Sequence, residues 1–274
     1  MNQPLVLSLF PGIGLLDRAF EDEGFCVVRG PDVLWGGDVR RFHAPMGTFD
    51  GVIGGPPCQP FSQLVHMVRA NGYEPRHDNL IPEYERVVAE AQPTWFLMEE
   101  VPQAPVPKVA GYVVRDIVLN NRWCGGTQNR KRRISFGTRD GAALPVETEA
   151  LEPAEYDFAV AGDPRRRTVA MLAGGRPKGN ETGGRTSSLN RGGGVLKLSE
   201  MCRLQGLPED FLAESPFTMT AKRQMVGNGV PLFMGRVLAR ATRIACSSVE
   251  PGISAAPAGS ALAPGSGDEH VDPK

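Results

Sequence analysis

Apolar positions fall into short runs separated by turn residues. Leu5 to Phe10 has the length of a buried strand, and Pro11-Gly12-Ile13-Gly14 turns the chain into a helix over Leu15 to Glu23. Cys26-Val27-Val28 reads as a second strand. Gly51-Val52-Ile53 reads as a third, closed by Gly54-Gly55-Pro56-Pro57. A helix is expected over Ile81 to Gln92 and a strand over Trp95 to Met98; helical spacing returns at Leu198 to Leu204 and Leu232 to Ile244. Strands that alternate with helices predict a parallel α/β sheet, which presents ligands at the C-terminal ends of its strands.

The middle of the chain changes character. Asp140 to Asp163 holds seven acids and no Lys or Arg, whereas Pro164 to Ser199 holds eight basic residues against one acid, Glu181. The basic stretch is glycine-rich and poor in large apolar residues, so it reads as a small loop-rich insert. Ser247 to Lys274 is Ala-, Gly-, Pro- and Ser-rich without aromatics, too little apolar surface to offset ordering entropy; disorder is expected there.

Charge and composition then narrow the classes. The 274 residues carry 30 Lys plus Arg against 31 Asp plus Glu, a formal net charge of −1 that conceals the two opposed segments. No apolar run reaches membrane-spanning length, and the first ten residues lack a basic region, so no signal peptide is expected. Cys26, Cys58, Cys124, Cys202 and Cys246 are odd in number and form no CxxC pair. Neither a disulfide framework nor a zinc site is expected, and a reducing cytoplasm fits.

Five strings carry chemistry. Leu9-Phe10-Pro11-Gly12-Ile13-Gly14 lets backbone approach a ligand at a helix N-terminus, and Asp32 lies where a ribose-binding acid belongs; a plain strand-turn-helix also accounts for it. Gly54-Gly55-Pro56-Pro57-Cys58-Gln59-Pro60-Phe61-Ser62 is a stiff loop that can aim the Cys58 thiolate as a nucleophile. Trp95-Phe96-Leu97-Met98-Glu99-Glu100 ends an apolar strand in two carboxyls, where a raised pKa would permit proton donation, though a solvated strand end reads the same. In Gln128-Asn129-Arg130-Lys131-Arg132-Arg133, a following strand would point Arg130 and Arg132 the same way, as forks for a phosphate or a carbonyl oxygen or as a solvated basic edge. Gln224-Met225-Val226-Gly227-Asn228-Gly229-Val230-Pro231 reads as a turn with positive φ before a helix.

In this order and spacing, the strings resemble the cytosine-5 DNA methyltransferase family from Leu5 to about Arg243, and Leu198 to Pro208 resembles a further motif of that family. The resemblance implies a Rossmann-like, doubly wound α/β sheet of class I methyltransferase type. The catalytic and cofactor domain would occupy 1–138 and 198–246, a small target-recognition module 139–197, and a disordered tail 247–274. It also implies the cofactor S-adenosyl-L-methionine. Phe10, Gly12, Ile13, Gly14, Asp32, Asp38, Val39, Pro57, Asn228 and Val230 would form its pocket, with Phe10 against the adenine, Asp32 on the ribose and Asp38 on the adenine amino group. Cys58 would be the nucleophile, Glu99 would contact the cytosine ring nitrogen and amino group, and Arg132 its carbonyl oxygen, with Arg130 supporting the site. Gln59, Ser62, Arg165, Arg166, Arg167, Arg176, Lys178, Arg185 and Arg191 would contact double-stranded DNA. Three departures stand out: Ser8 replaces a frequent Asp, Leu15 a frequent Gly, and Glu100 the usual Asn. The connection from Val101 to Gln128 is also short.

The implied reaction flips a cytosine out of the duplex and adds Cys58 to carbon 6, so that carbon 5 can take the methyl group. Gln63 to Leu80 would close over the DNA as a mobile loop, and the insert would choose a short sequence, with salt-sensitive affinity. A cytoplasmic monomer without metal or membrane, partnered by a cognate restriction endonuclease, fits this picture. A transfer-RNA cytosine-5 methyltransferase and a catalytically weak DNA-binding protein of the same fold are the competing readings. A cysteine hydrolase is unsupported, because His43, His66, His77 and His270 are scattered and no motif sets one beside Cys58.

Overall fold

A computed structural model describes residues 3–57, 78–148, 168–169 and 196–247. The chain runs β1 (Leu5–Leu9), α1 (Leu15–Asp22), β2 (Cys26–Arg29), β3 (Gly51–Gly54), α2 (Ile81–Ala91) and β4 (Trp95–Glu100). It continues through β5 (Val113–Asn120), β6 (Gln128–Asn129), β7 (Lys131–Thr138), β8 (Thr168–Val169), α3 (Leu198–Leu204), α4 (Met219–Asn228) and α5 (Leu232–Ser247). Short 3₁₀ turns occupy Val33–Trp35, Val39–Arg41 and Asn121–Cys124.

Six strands form one sheet in the order β2-β1-β3-β4-β7-β5. The first four are mutually parallel, as the alternation of strands and helices predicts, and β7 runs antiparallel to both β4 and β5, so the whole sheet is mixed. Successive residues alternate between two buried faces. Val6, Ile53, Leu97, Ile134 and Phe136 pack with Phe20 of α1 and with Met234 and Leu238 of α5. Leu7, Val52, Phe96 and Met98 pack with Tyr84, Val87 and Val88 of α2. Burial on both faces explains why these strands are short continuous apolar runs rather than alternating ones. Trp95 and Phe96 lie on opposite faces of β4, each over a glycine of a neighbouring strand (Gly51 and Gly137) where a Cβ would collide with the ring.

A third cluster seats α3 and α4 against α1 through Leu15, Ala19, Met201, Cys202, Leu212 and Val226. It returns the C-terminal part of the chain to the glycine turn after β1. Several elements differ from the sequence reading. Strand β4 continues through Glu99 and Glu100, because both remain paired to β7. The short connection from Val101 to Gln128 contains an unforeseen strand, β5. Helix α5 extends to Ser247, one residue past the expected 246 boundary. Most of the expected insert and tail, and most of the proposed mobile loop, lie outside the described residues.

Candidate active site

The turn after β1 is the first component. Phe10, Gly12 and Gly14 all have positive φ, at 56°, 57° and 75°. Glycine adopts this region without strain; Phe10 does not, and such a residue is held there by its surroundings. Here the Phe10 N–H donates to the Pro31 carbonyl at 3.4 Å, and the ring packs at the edge of the α2-side core. Gly12 is tied from both sides. Asp32 Oδ2 accepts from its N–H at 2.8 Å, and Trp35 Nε1 donates to its carbonyl at 2.8 Å. Asp32 Oδ1 caps the following 3₁₀ turn through the Leu34 N–H at 2.7 Å.

Beneath this turn lies a group that sequence reasoning missed. Ser8 Oγ donates to Asp17 Oδ1 at 2.5 Å, and Arg29 Nε pairs with Asp17 Oδ2 at 3.1 Å. Asp17 is fully buried, and burial raises its carboxyl pKa despite the bonds from Ser8 and Arg29. The Arg29 guanidinium covers Gly14, with Nη2 2.8 Å from where a Cβ would stand. The signal available was position 17 itself, an acid on the buried side of α1.

The remaining cofactor candidates divide by exposure. Asp38 caps its 3₁₀ turn, its Oδ1 accepting from the Arg40 N–H at 3.0 Å and Arg40 Nε at 3.1 Å, which lowers its pKa. Ile13 borders the third cluster. Val39 is buried in the α2-side core with its carbonyl taken by Arg86, and Val230 is buried on the other face. Asn228 ends α4 with its side chain exposed. Gly227-Asn228-Gly229 is not the positive-φ turn expected: α4 runs through Asn228, and Gly229 has φ −64°. Glycine is needed at 229 because a Cβ would stand 2.5 Å from Leu15 Cδ1. Among the described residues, nothing within 4 Å crowds the Cβ position of Gly12, so the turn is open there, with Asp32 bound to its N–H and Asp38 capping the later 3₁₀ turn. An open glycine turn beside acids suits a ligand with a sugar and an amino-bearing base.

The second component gathers at the ends of β4 and β7. Arg132 Nε lies 2.7 Å from Glu99 Oε1, with both side chains largely buried. Glu99 Oε2 is 3.2 Å from where a Gly55 Cβ would stand, so the bare backbone of the loop after β3 abuts this carboxylate. Pro57 is the last described residue of that loop. Cys58, Gln59 and Ser62 lie outside the described residues, as do Arg165, Arg166, Arg167, Arg176, Lys178, Arg185 and Arg191. Glu100 points to the opposite face, where burial and the Glu99 charge push its carboxyl up to about 8.

Arg130 and Arg132 do not act on one partner. Residue 130 sits between β6 and β7, and its buried guanidinium turns toward the end of α4. It donates to the carbonyls of Gly227 at 3.0 Å, Asn228 at 3.5 Å and Gly229 at 3.2 Å. Gln205 Nε2 donates to the carbonyls of Val226 and Gly229, and Gln128 Nε2 to the Gln205 Oε1 at 3.1 Å. Two glutamines and an arginine thus hold the chain at 226–229 against β6. The strings containing Gln128 and Gln205 were visible in the sequence, but the hydrogen bond between them was not.

Residues 36–163 match the model of the family described as C-5 cytosine-specific DNA methylase. Type II methyltransferase M.XorII of Xanthomonas oryzae is 31% identical over 190 residues, covering 54% of this chain and 44% of that protein. Type II methyltransferase M.HgiDI of Herpetosiphon aurantiacus is 34% identical over 167 residues, covering 50% and 52%. The chain therefore spans about half the length of these curated relatives. Among solved structures, a putative DNA modification methyltransferase encoded within an Escherichia coli prophage superposes with TM-score 0.59 at 17% identity, covering 89% of this chain and 100% of that one. The Entamoeba histolytica methyltransferase EhMeth gives 0.58 at 13%, covering 88% and 98%. These likenesses show a Rossmann-like α/β fold. Among the described residues, no helix is long and apolar enough to cross a membrane, and no His/Cys/Asp/Glu group could hold a metal.

Proposed function

We propose that the chain is a member of the C-5 cytosine-specific DNA methylase family, whose model matches residues 36–163, and that it transfers a methyl group from S-adenosyl-L-methionine to carbon 5 of a cytosine flipped from double-stranded DNA. The observation that carries this reading is the Glu99–Arg132 pair, set against the loop that leads to Cys58. When bound, S-adenosyl-L-methionine supplies an electrophilic methyl group. The glycine turn with Asp32 and Asp38 would hold it, and the clamped Asn228 segment would close the pocket.

On the substrate, the Cys58 thiolate would add to carbon 6, moving the ring's electron pair toward carbon 5. Glu99 would hold a proton or hydrogen bond at ring nitrogen 3, and Arg132 would donate to the carbonyl oxygen, so developing negative charge meets fixed donors. After methylation, loss of the carbon 5 proton and departure of the thiolate restore the aromatic ring. The Glu99–Arg132 pair keeps both side chains oriented before the base arrives, which lowers the reorganisation needed in the reaction. The basic half of the 139–197 module would neutralise phosphates and read a short site.

Labelled methyl transfer to duplex DNA and to transfer RNA tests the reading. Transfer to DNA, its abolition in Cys58→Ala, and covalent trapping on DNA carrying 5-fluorocytosine are the expected results. Transfer to RNA alone would replace the substrate class. Full activity of Cys58→Ala would overturn the covalent route.

A further inference from the structure

The face of β4 opposite Glu99 carries an acid that the reaction above leaves unused. Glu100 is 1% exposed. Its Oε2 accepts from the Val101 N–H at 2.8 Å, and its Oε1 has no hydrogen-bond partner among the described residues. Arg133 stands opposite it in the β4–β7 register. That guanidinium is committed elsewhere, with Nη1 3.3 Å from Asp116 Oδ2 on β5 and Nη2 donating to the Pro102 carbonyl at 2.8 Å. Arg133 Nε and Ser135 Oγ are also buried without a hydrogen-bond partner among the described residues. Ser135 pairs with Met98, so these three polar atoms belong to one face within two rungs of the ladder.

Among the described residues, no ion pair joins Glu100 to a cation. Glu99 and Arg132 lie across the sheet and pair with each other. From α2, Tyr84 gives its hydroxyl to the carbonyls of Val52 and Leu97. Ionised, Glu100 would therefore be a buried charge with no ion-pair partner among the described residues, one residue from a second carboxylate, an arrangement of high cost. A protonated Glu100 sets one O–H donor beside an acceptor oxygen, as a neutral carboxamide sets N–H donors beside its own.

We propose that Glu100 is a positioning residue that works in its uncharged, proton-bearing form, holding the Val101 N–H and the end of β4 so that Glu99 stays committed to Arg132. Ionised, it would set a second negative charge beside Glu99 and draw on the same arginine. The family resemblance places Asn at this position, and a neutral carboxylic acid is the available chemical counterpart of that amide. Burial first, then the Glu99 charge, raises the carboxyl to about 8, so the proton is retained at neutral pH and lost just above it. The proposal rests on the methyltransferase reading for which reaction responds, but not for whether Glu100 carries a proton.

Wild-type protein, Glu100→Gln and Glu100→Ala are compared from about pH 6 to about pH 9.5, by kcat and KM for methyl transfer to duplex DNA and by melting temperature. The wild type is expected to lose kcat along an alkaline limb centred near pH 8, with KM for DNA changing less. Glu100→Gln should lack that limb and recover most of what Glu100→Ala loses, about tenfold in kcat. In the melting series, the wild type should fall relative to Glu100→Gln as pH rises toward 8 and level off above it, since below that point the folded state holds a proton that the unfolded state has already released. A shared alkaline limb with the same midpoint, or parallel melting curves, would overturn the proposal. If no methyl transfer occurs on any substrate, the methyltransferase reading fails while the melting comparison still reports the Glu100 proton. Should Glu100→Gln not fold, the infrared carbonyl band of a protonated carboxyl in the wild type decides: present at neutral pH and lost above pH 8 it supports the proposal, absent at neutral pH it refutes it.

Discussion

Replacing Arg130 with Ala tests whether the clamp on the 226–229 segment shapes the cofactor site. Arg130 is 3% exposed, and its guanidinium reaches three carbonyls, at 3.0, 3.5 and 3.2 Å. Hydrogen bonds to a charged group contribute roughly 1.5–3 kcal/mol each, and length weakens the one at Asn228. The Gly229 carbonyl keeps a donor in Gln205 Nε2 at 2.9 Å, so the loss is concentrated at Gly227. About 2–4 kcal/mol of stability should disappear. For a domain of this size that corresponds to a fall of roughly 5–15 °C in Tm. Arg130→Lys keeps the charge but not the planar fork, and should recover less than half of the loss. Urea unfolding gives the stability, and titration calorimetry gives the affinity for S-adenosyl-L-methionine. If Asn228 and Val230 close the proposed pocket, that affinity should fall at least about tenfold once they are no longer held in place. An Arg130→Ala protein with wild-type unfolding and wild-type cofactor affinity would refute the clamp. Loss of stability with affinity intact would reduce Arg130 to a structural role.

Glu99→Gln should lower kcat by about 10²–10⁴, since a neutral amide neither shares a proton with the base nor pairs with the charge of Arg132. Single-turnover methyl transfer measures it, and a change confined to KM would contradict the assigned role. Gly229→Ala should cost about 1–3 kcal/mol, because the new Cβ meets Leu15 Cδ1 at 2.5 Å. Trimming the obstacle in the double variant with Leu15→Ala should return part of that loss, and strictly additive melting shifts would show that the contact is not the cause.

The parts of the fold legible in the sequence were those whose burial is written in consecutive residues. Strands β1 and β3 and helix α3 stood out as apolar runs or helical spacing between turn residues. Strand β5 did not, because it lies at the sheet edge with Val113, Arg115, Asp116, Ile117 and Val118 exposed. No apolar face marks it, and its extended form comes from its pairing with β7. Helix α4 was hidden by Gly227 and Gly229. Tertiary contacts outweigh their low helix propensity: Thr218 caps the start, while Arg130 and Gln205 bind the carbonyls at the end. Within the site, the same division holds. Asp32 beside the glycine turn, and Glu99 near the end of an apolar strand, were local features. The partnership of Arg130 with Gly227 spans 97 positions, and that of Gln128 with Gln205 spans 77.

The departures from the family pattern change meaning once their neighbours are known. Ser8, read alone, removes the acid frequent at that position. In the fold its hydroxyl donates to Asp17, so a buried carboxylate still lies below the glycine turn, carried by α1 instead of β1. Arg29 closes the same group from β2, and it can rest over position 14 only because that residue is glycine. Glu100 follows the same logic in reverse. Its charge would be unsupported where an amide is usual, and the burial that makes the charge costly also keeps the proton on. In both places the chemical group needed at a point in space is retained while the residue that supplies it, or its protonation state, changes. A substitution at either position should therefore be judged against its contact partner: Ser8→Asp would set a second acid against buried Asp17, and should be destabilising unless Asp17 is made neutral in the same protein.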